Sequence, residues 1–287
     1  MTELWLRRQE VLPIPIIFSM ECGHFVDWDR WVDNELQDIE FVNLLKQSRI
    51  YGSILVSCGL NMKNDIAGLW RLVHRWNSAT YTFFFAWGEA TITLEDVEKI
   101  LLLPLVGCRW PWLIVSIEGS EGIIEQLCTG YGGRDVLPCN KHSRFTAWVQ
   151  YFKNFKGTLV HRAAFVVYWL RRYVLIESPF DHIKAYLFPL AVLLAHGESL
   201  AVGAICLSNL CNHLDALHIS EMEGSPYYAV VTHLNLALLQ VWAWERALPL
   251  VTHARSVTAI RKCYPPSSKN NQLDFFIKIL RISSHTS

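Results

Sequence analysis

Ser199 is the first residue whose type and setting suggest catalysis, because it lies in the segment Gly-Glu-Ser-Leu-Ala. This segment resembles G-x-S-x-G, in which a serine nucleophile occupies a sharp turn between a strand and a helix, and Asp215 with His233 or His253 could complete a triad. Such a turn requires a parallel sheet, but Pro189 interrupts the preceding apolar run, where a central strand would need its N–H. We therefore expect a turn between two helices, and a serine hydrolase-like enzyme using Ser199 is the second alternative function.

A second group of residues contains both types of zinc ligand. Its members are Cys206, Cys211, His213 and His218. Structural zinc sites usually combine a closely spaced cysteine pair with a histidine pair in compact loops. Here all four residues are spread along one amphipathic, helix-like stretch. The spacing therefore favours helix-face side chains, and we predict no metal site.

Two further features could serve a cofactor. The glycines of Gly130-Tyr-Gly-Gly-Arg134 could offer backbone amides to a phosphate, but the segment does not clearly follow a strand or begin an apolar helix. Lys99 and Lys184 could form a Schiff base, but each lies among apolar neighbours in a helical pattern, as ordinary surface lysines do. We predict no catalytic residue and no cofactor.

The charges are unevenly distributed although 26 basic and 26 acidic side chains give a net charge of zero. No acidic residue occurs between Val136 and Ile176, and aromatic residues interleave with basic ones there, as in many nucleic-acid-binding surfaces. The basic residues of this possible nucleic-acid face are Lys141, Arg144, Lys153, Lys156, Arg162, Arg171 and Arg172. Residues 27–40 instead carry six acids and one arginine. We favour mutual neutralisation of the two regions inside the fold; a nucleic-acid-binding factor using residues 141–172 is the first alternative.

The elements that must position these residues are mostly helical. Apolar side chains recur with a period near 3.6 in segments such as Asp65–Trp76 and Leu94–Leu103, and Ser178-Pro179 has the pattern of a helix start. The aromatic and β-branched residues 81–93, with Gly88 among them, predict one small hairpin. Thr93 followed by Asp96 predicts a capped helix start. The fold class is therefore mainly α: a single helical domain with one small β-hairpin.

The composition also bounds the cellular setting. Apolar types make up 52% of the chain, but the longest apolar run, 185–206, has His, Gly and Glu at its centre, which favours two buried helices over a membrane span. The first residues lack the pattern of a secretory signal. The eight cysteines form no CxxC pair, which is typical of reduced thiols. We expect a soluble, intracellular protein.

Several strings in the same order resemble the plant mobile domain family, sometimes labelled aminotransferase-like. They are LLKQSRIY (44–51), LVHRW (72–76), TFFFAWGEATITLEDV (82–97), AFVVYWL (164–170), LFPLAVLL (187–194) and LQVWAWER (239–246). The chain departs from the family at Leu103, where glycine is usual, and at Pro249, where the proline is displaced. The resemblance implies an N-terminal extension (1–24), a plant mobile domain (25–264) and a C-terminal tail with a short helix (265–287).

The same resemblance implies a function. It indicates a transposon-related plant protein acting as a non-enzymatic nuclear interaction module, with links to meristem maintenance, gene expression and transposon silencing. It implies a phosphatase-like protein partner and a nuclear location, although no import signal is evident and the cytoplasm is the other possibility. The family-motif residues, expected to serve structure or interaction, are Trp76, Phe83, Trp87, Gly88, Glu89, Thr91, Thr93, Leu94, Glu95, Asp96, Trp242, Trp244, Glu245 and Arg246.

Overall fold

Helices account for most of the structure. The computed structural model describes residues 16–18, 28–60, 64–107, 120–132, 144–223 and 230–246. The α-helices in these ranges are α1 (Trp28–Glu35), α2 (Ile39–Gln47), α3 (Tyr51–Gly59), α4 (Ile66–Val73), α5 (Leu94–Leu101), α6 (Ser120–Tyr131), α7 (Phe145–Phe152), α8 (Leu159–Trp169), α9 (Phe188–Ala195), α10 (Val202–Glu223) and α11 (Leu236–Arg246). The mainly helical class predicted from the sequence is confirmed. The predicted tail, 265–287, lies outside the described residues.

The described strands form two small sheets. β2 (Trp76–Asn77), β3 (Thr82–Phe85) and β4 (Gly88–Ala90) make an antiparallel sheet in that order. β3 and β4 are the predicted hairpin. The helix predicted for residues 65–76 ends at Val73, and β2 begins at the last residue of that segment.

The second sheet joins distant parts of the chain. β1 (Ile16–Phe18) runs parallel to β5 (Val230–Thr232), with Ile17 opposite Val231. β1 falls within the segment expected to be an N-terminal extension. At least this part of that segment is therefore hydrogen-bonded to the region expected to be the domain.

Side-chain caps explain where several helices begin. The carboxylate of Asp38 accepts hydrogen bonds from two amides at the start of α2, and Asp65 does the same for the Gly68 amide in α4. Thr93 and Asp96 form a reciprocal capping box at the start of α5, as their spacing predicts. Thr158 caps α8 through the amide of His161. Each cap satisfies amides that have no partner within the helix.

α8 lies at the centre of the core. All residues from Val160 to Leu170 are buried, and α8 packs along α9, which is itself almost entirely buried. Trp28 of α1 stacks on Phe165 with 5.0 Å between ring centroids. A helix that is buried on nearly every side needs apolar or internally paired residues around its whole circumference. This explains the long uninterrupted hydrophobic strings in this part of the sequence.

The longest apolar run divides as expected. α9 ends at Ala195, a turn follows through Gly197 (φ 89°), and α10 begins at Val202. The left-handed φ of Gly197 suits a residue without a Cβ. Within the described ranges, no helix has the length and apolarity that crossing a bilayer requires.

The predicted helix start at Ser178-Pro179 is wrong. The structure has turns from Ser178 to Asp181, then a 3-10 turn, Ala185–Leu187, and only then α9. The Arg171 guanidinium binds the carbonyl oxygens of Glu177 and Pro179 and thereby holds this segment outside a helical ladder.

Candidate functional site

The family-motif residues meet at an aromatic cluster below the hairpin. The Trp76 ring packs on Phe83 with centroids 4.9 Å apart, and Phe83 lies 5.3 Å from the Trp242 ring of α11. The Trp76 indole N–H also donates to the Asp215 carboxylate of α10 at 2.7 Å. These contacts attach the inner face of the hairpin to two distant helices.

A charged pair joins α5 to α11. One oxygen of Asp96 accepts from the Thr93 amide and hydroxyl, both at 2.9 Å, and the other accepts from the Arg246 guanidinium at 3.1 Å. Asp96 is only 5% exposed, so these hydrogen bonds replace the water that its carboxylate loses on burial. The spacing of Thr93 and Asp96 predicts the cap. The sequence does not predict that Arg246 binds the capping residue Asp96, because 150 residues separate the two.

The other motif residues of α11 differ in their surroundings. Glu245 is half-buried, and burial raises the pKa of its carboxyl above the usual value. Trp244 is also half-buried. Gln240, which sequence reasoning missed, accepts a hydrogen bond from the Asp65 amide at 2.7 Å and so connects α11 to the start of α4.

The end of the hairpin presents an exposed aromatic residue. Trp87 lies in the β3–β4 turn and is 54% exposed. Its ring stacks on Phe85 with centroids 4.8 Å apart and an angle of 6°, and the Arg75 guanidinium lies over the same Phe85 ring at 5.7 Å. The adjacent Gly88 has φ 144°, a conformation that side chains disfavour. The turn and the stacking together hold Trp87 in a defined orientation at the surface.

Polar motif residues cover the outer side of the hairpin. The Thr82 hydroxyl donates to Glu89 at 2.9 Å and the Thr91 hydroxyl donates to the Tyr81 carbonyl at 2.6 Å. Glu89 is the only charged residue between Trp76 and Thr93. On α5, Leu94 and Glu95 are exposed, and Glu95 pairs with Lys99 at 2.6 Å. Lys99 is thus the surface lysine that its sequence pattern predicts.

The acidic and basic segments meet inside the fold. The Arg162 guanidinium binds Asp38 at 2.8 Å and Glu40 at 2.9 Å, and these carboxylates raise its pKa. The preferred interpretation, mutual neutralisation, is therefore realised at Arg162. Glu40 is exposed while Arg162 is largely buried, so the pairing withdraws this basic side chain from the surface.

The neighbouring His161 is bound on both ring nitrogens. Nδ1 lies 2.8 Å from the Phe152 carbonyl and Nε2 lies 2.7 Å from the Glu35 carboxylate, which also accepts from Trp31 at 3.2 Å. Both partners are acceptors, so the geometry suits an imidazolium that donates twice. Burial alone would lower the pKa of His161, but Glu35 and the carbonyl outweigh it and the pKa is raised.

Arg171 is buried in a different way. It is 0% exposed and donates to the carbonyl oxygens of Leu175 at 3.1 Å, Glu177 at 2.5 Å and Pro179 at 2.7 Å. It lies in a π-helical turn, Leu170–Val174, that follows α8. Burial lowers its pKa, and its charge also contributes to lowering the pKa values of His213 and His233, for which burial is the larger cause.

The predicted nucleic-acid face loses two of its seven members. Arg162 and Arg171 are buried and bind groups inside the fold. Their assignment to a surface is therefore corrected. The aromatic residues Phe145, Trp148 and Phe152 are buried in the core and therefore cannot stack on bases. Lys141 lies outside the described residues. The basic side chains that the structure leaves at or near the surface are Arg144, Lys153, Lys156 and the half-buried Arg172.

Ser199 lies in the turn between α9 and α10, so a helix rather than a strand precedes it. Its hydroxyl lies 3.4 Å from the Val106 carbonyl, and Asp215 is engaged by Trp76. A Cβ on Gly107 would come within 2.4 Å of the Leu200 backbone, which shows how tightly this turn packs. The strand elbow that the hydrolase alternative requires is not formed. His253, one of its two proposed bases, lies outside the described residues.

The cysteine and histidine set is distributed along α10. Cys206 is buried, its thiol lies 3.5 Å from the Val174 carbonyl, and burial raises its pKa to about 12. Across the described ranges, no group of three or more potential metal ligands comes together. Gly130 and Tyr131 belong to the last turn of α6, while Arg134 lies outside the described residues.

Comparison with known proteins gives two matches. The model of the plant mobile domain family matches residues 50–275. A serine/threonine-protein phosphatase 7 long form homolog of Arabidopsis thaliana is 28% identical over 193 residues. That alignment covers 63% of this chain and 13% of the relative, so the chain corresponds to a small part of the relative's length. No solved structure gives a significant match. The matched family range begins after α1 and α2, yet Glu35 and Asp38 bind α8.

Proposed function

The chain belongs to the plant mobile domain family, and we propose that it is a non-enzymatic interaction module that binds a protein partner through the exposed end of its hairpin. The observation that carries this proposal is Trp87. Most motif residues around it are used in internal contacts, whereas this tryptophan stays exposed and is held by Phe85. Tryptophans that are fixed before binding are frequent hot spots of protein interfaces, because little side-chain entropy is lost when they are covered.

The family resemblance supports a proposal about the cellular role. We propose that the module acts in the nucleus, on gene expression, meristem maintenance and transposon silencing, together with a phosphatase-like protein. The phosphatase 7 name of the Arabidopsis relative supports a phosphatase connection for the family, although the relative is far longer than the matched region. The proposed role of this chain is recognition of a partner.

The test compares three tagged forms of the chain: wild type, Trp87→Ala and Ile39→Ala. Ile39 is also an exposed apolar residue, but it lies at the start of α2, outside the hairpin. Each form is first checked for an unchanged thermal unfolding midpoint and is then used to capture proteins from plant nuclei in mild salt. We expect wild type and Ile39→Ala to capture the same defined partner in equal amounts. Trp87→Ala should capture less of it, by a factor of about ten or more.

Three results would contradict different parts of the proposal. Capture of the partner by Trp87→Ala at the wild-type level would overturn the assignment of the binding surface to the hairpin and leave the interaction role in place. Recovery of no defined partner by wild type would overturn the interaction role itself. A fluorescent fusion that stays in the cytoplasm of plant cells would overturn the nuclear location.

A further inference from the structure

A small cavity lies where α3, the end of α5 and the π-helical turn meet. Its volume is about 10 Å³, and its polar lining comes from Ser53, Ser57, Trp169 and Tyr173 among leucine side chains. A cavity of this size is at the lower limit for one water molecule and is too small for an organic ligand. Size alone therefore restricts the possible occupant.

One residue that lines this cavity carries a polar atom without a hydrogen-bond partner among the described residues. Trp169 is 1% exposed, and its indole N–H meets no acceptor in the described part of the chain. An indole N–H can only donate. A buried donor of this kind normally binds a protein acceptor or an ordered water molecule.

The serine hydroxyls offer the complementary chemistry. Ser53 donates its proton to the Leu102 carbonyl, and Ser57 donates to the Ile54 carbonyl at 2.6 Å while accepting from Trp28 at 2.9 Å. Because both hydroxyl protons already take part in hydrogen bonds to carbonyl oxygens, the two serine oxygens can bind a further group only as acceptors. The cavity therefore combines an unmatched donor with unmatched acceptors.

We propose that this cavity is a binding site for a single ordered water molecule, which accepts from Trp169 and donates to Ser53 and Ser57. A water molecule can do both at once, whereas an anion could not donate and a metal ion could not accept. The π-helical turn gives a local reason for the space, since Leu170–Val174 widens the helix beside Trp169. The water would connect this turn to α3 through hydrogen bonds.

A high-resolution crystal structure of the full chain tests the proposal directly. We expect one peak of electron density within hydrogen-bonding distance, about 2.7–3.2 Å, of the Trp169 nitrogen and of at least one serine oxygen. Absence of a peak in a well-ordered cavity, or a protein acceptor bound to the Trp169 nitrogen, would overturn it.

Nuclear magnetic resonance of the full chain, with ¹⁵N-labelled tryptophan, provides a second measurement. We expect a cross-peak between long-lived water and the Trp169 indole proton, assigned by its loss in Trp169→Phe. The internal control is Trp242, whose buried indole N–H also meets no acceptor among the described residues but which does not line this cavity. It should show no such peak.

Single Ser53→Ala and Ser57→Ala variants remove the hydroxyl protons that could relay exchange to the indole. The Trp169 cross-peak should persist in both, because the water remains. Loss of the peak in either variant that keeps its fold, or an equal peak at Trp242, would contradict the proposed site.

Discussion

Two arginines near opposite ends of the same buried helix are held by different chemistry. Arg162, near the start of α8, binds two carboxylates from the acidic segment around α2. Arg171, in the π-helical turn beyond its end, binds three backbone carbonyl oxygens. The first arrangement pairs opposite charges, whereas the second surrounds a cation with neutral dipoles. A basic residue in an apolar string therefore does not by itself reveal how its charge is stabilised.

The histidines beside the two arginines show the consequence. His161 lies against Glu35, and its pKa is raised. His213 and His233 lie within reach of the Arg171 charge. Burial is the main cause that lowers their pKa values, and that charge is one of the smaller causes. The N-terminal end of α8 thus favours a second positive charge, and the other end disfavours one.

Replacing Arg171 by methionine should give the largest loss of stability. Methionine fills similar apolar volume but leaves three carbonyl oxygens without their donors, so we expect the free energy of unfolding to fall by about 3–4 kcal/mol. Urea denaturation followed by circular dichroism measures this. The matched control is Arg172→Met at the adjacent, half-buried position, where a change within about 0.5 kcal/mol is expected. Equal effects at 171 and 172 would show that the carbonyl contacts contribute little.

Replacing Glu35 by leucine should cost less, about 2–3 kcal/mol, because it leaves the His161 and Trp31 donors unpaired in the core. Glu35→Gln keeps an acceptor oxygen and should lose less stability than Glu35→Leu. The control is Glu40→Gln, since Glu40 is exposed and binds the neighbouring Arg162 instead of His161, and no measurable change is expected. If Glu35→Leu were as stable as wild type, the carboxylate would be dispensable and the contrast with Arg171 would fail.

The two ends of α8 should respond to pH with opposite sign. The raised pKa of His161 gives a stabilisation that is complete below pH 6.5 and is lost as pH rises through the folded-state value. The lowered pKa values of His213 and His233 give stability that is complete above pH 6.5 and falls as pH drops toward the folded-state values. Urea unfolding from pH 5 to 9 measures both effects.

Variants separate the two pH effects. Glu35→Gln should flatten the alkaline side of the stability curve and, because burial then lowers the pKa of His161, add to the loss on the acidic side. His213→Gln should reduce the acidic loss. His213→Gln should not abolish that loss, because burial also lowers the pKa values of His74 and His196. An alkaline side that is unchanged in Glu35→Gln would contradict the proposed role of this pair.

Local patterns predicted the elements well. The spacing of Thr93 and Asp96 predicts the cap, residues 81–93 predict the hairpin, and the central residues of the apolar run predict the turn between α9 and α10. These features depend on neighbours in sequence, so local chemistry is sufficient to recognise them.

Contacts between residues that are far apart in the sequence could not be predicted from local patterns. Charge counts predict that the acidic and basic segments neutralise each other, but not that Arg162 meets Asp38, 124 residues away. The Trp76 bond to Asp215 spans 139 residues. Nothing in the sequence distinguishes the buried Arg171 from Arg172, since both follow the same apolar string and only the direction of each side chain in the fold separates them.

The smallest expected effect concerns Lys156, an exposed member of the basic stretch near His161. Its positive charge lowers the pKa of His161 against the stronger, opposite effect of Glu35. Lys156→Gln should therefore raise the pKa of His161 further and leave the fold intact. Histidine ring signals followed by nuclear magnetic resonance measure this, with Lys153→Gln as the control, because Lys153 is equally exposed and does not contribute to the His161 shift. A His161 pKa that stays unchanged or falls in Lys156→Gln would mean that the charge of Lys156 does not reach His161 and that the buried pair alone sets its protonation. An equal rise in Lys153→Gln would mean that the effect is not specific to Lys156.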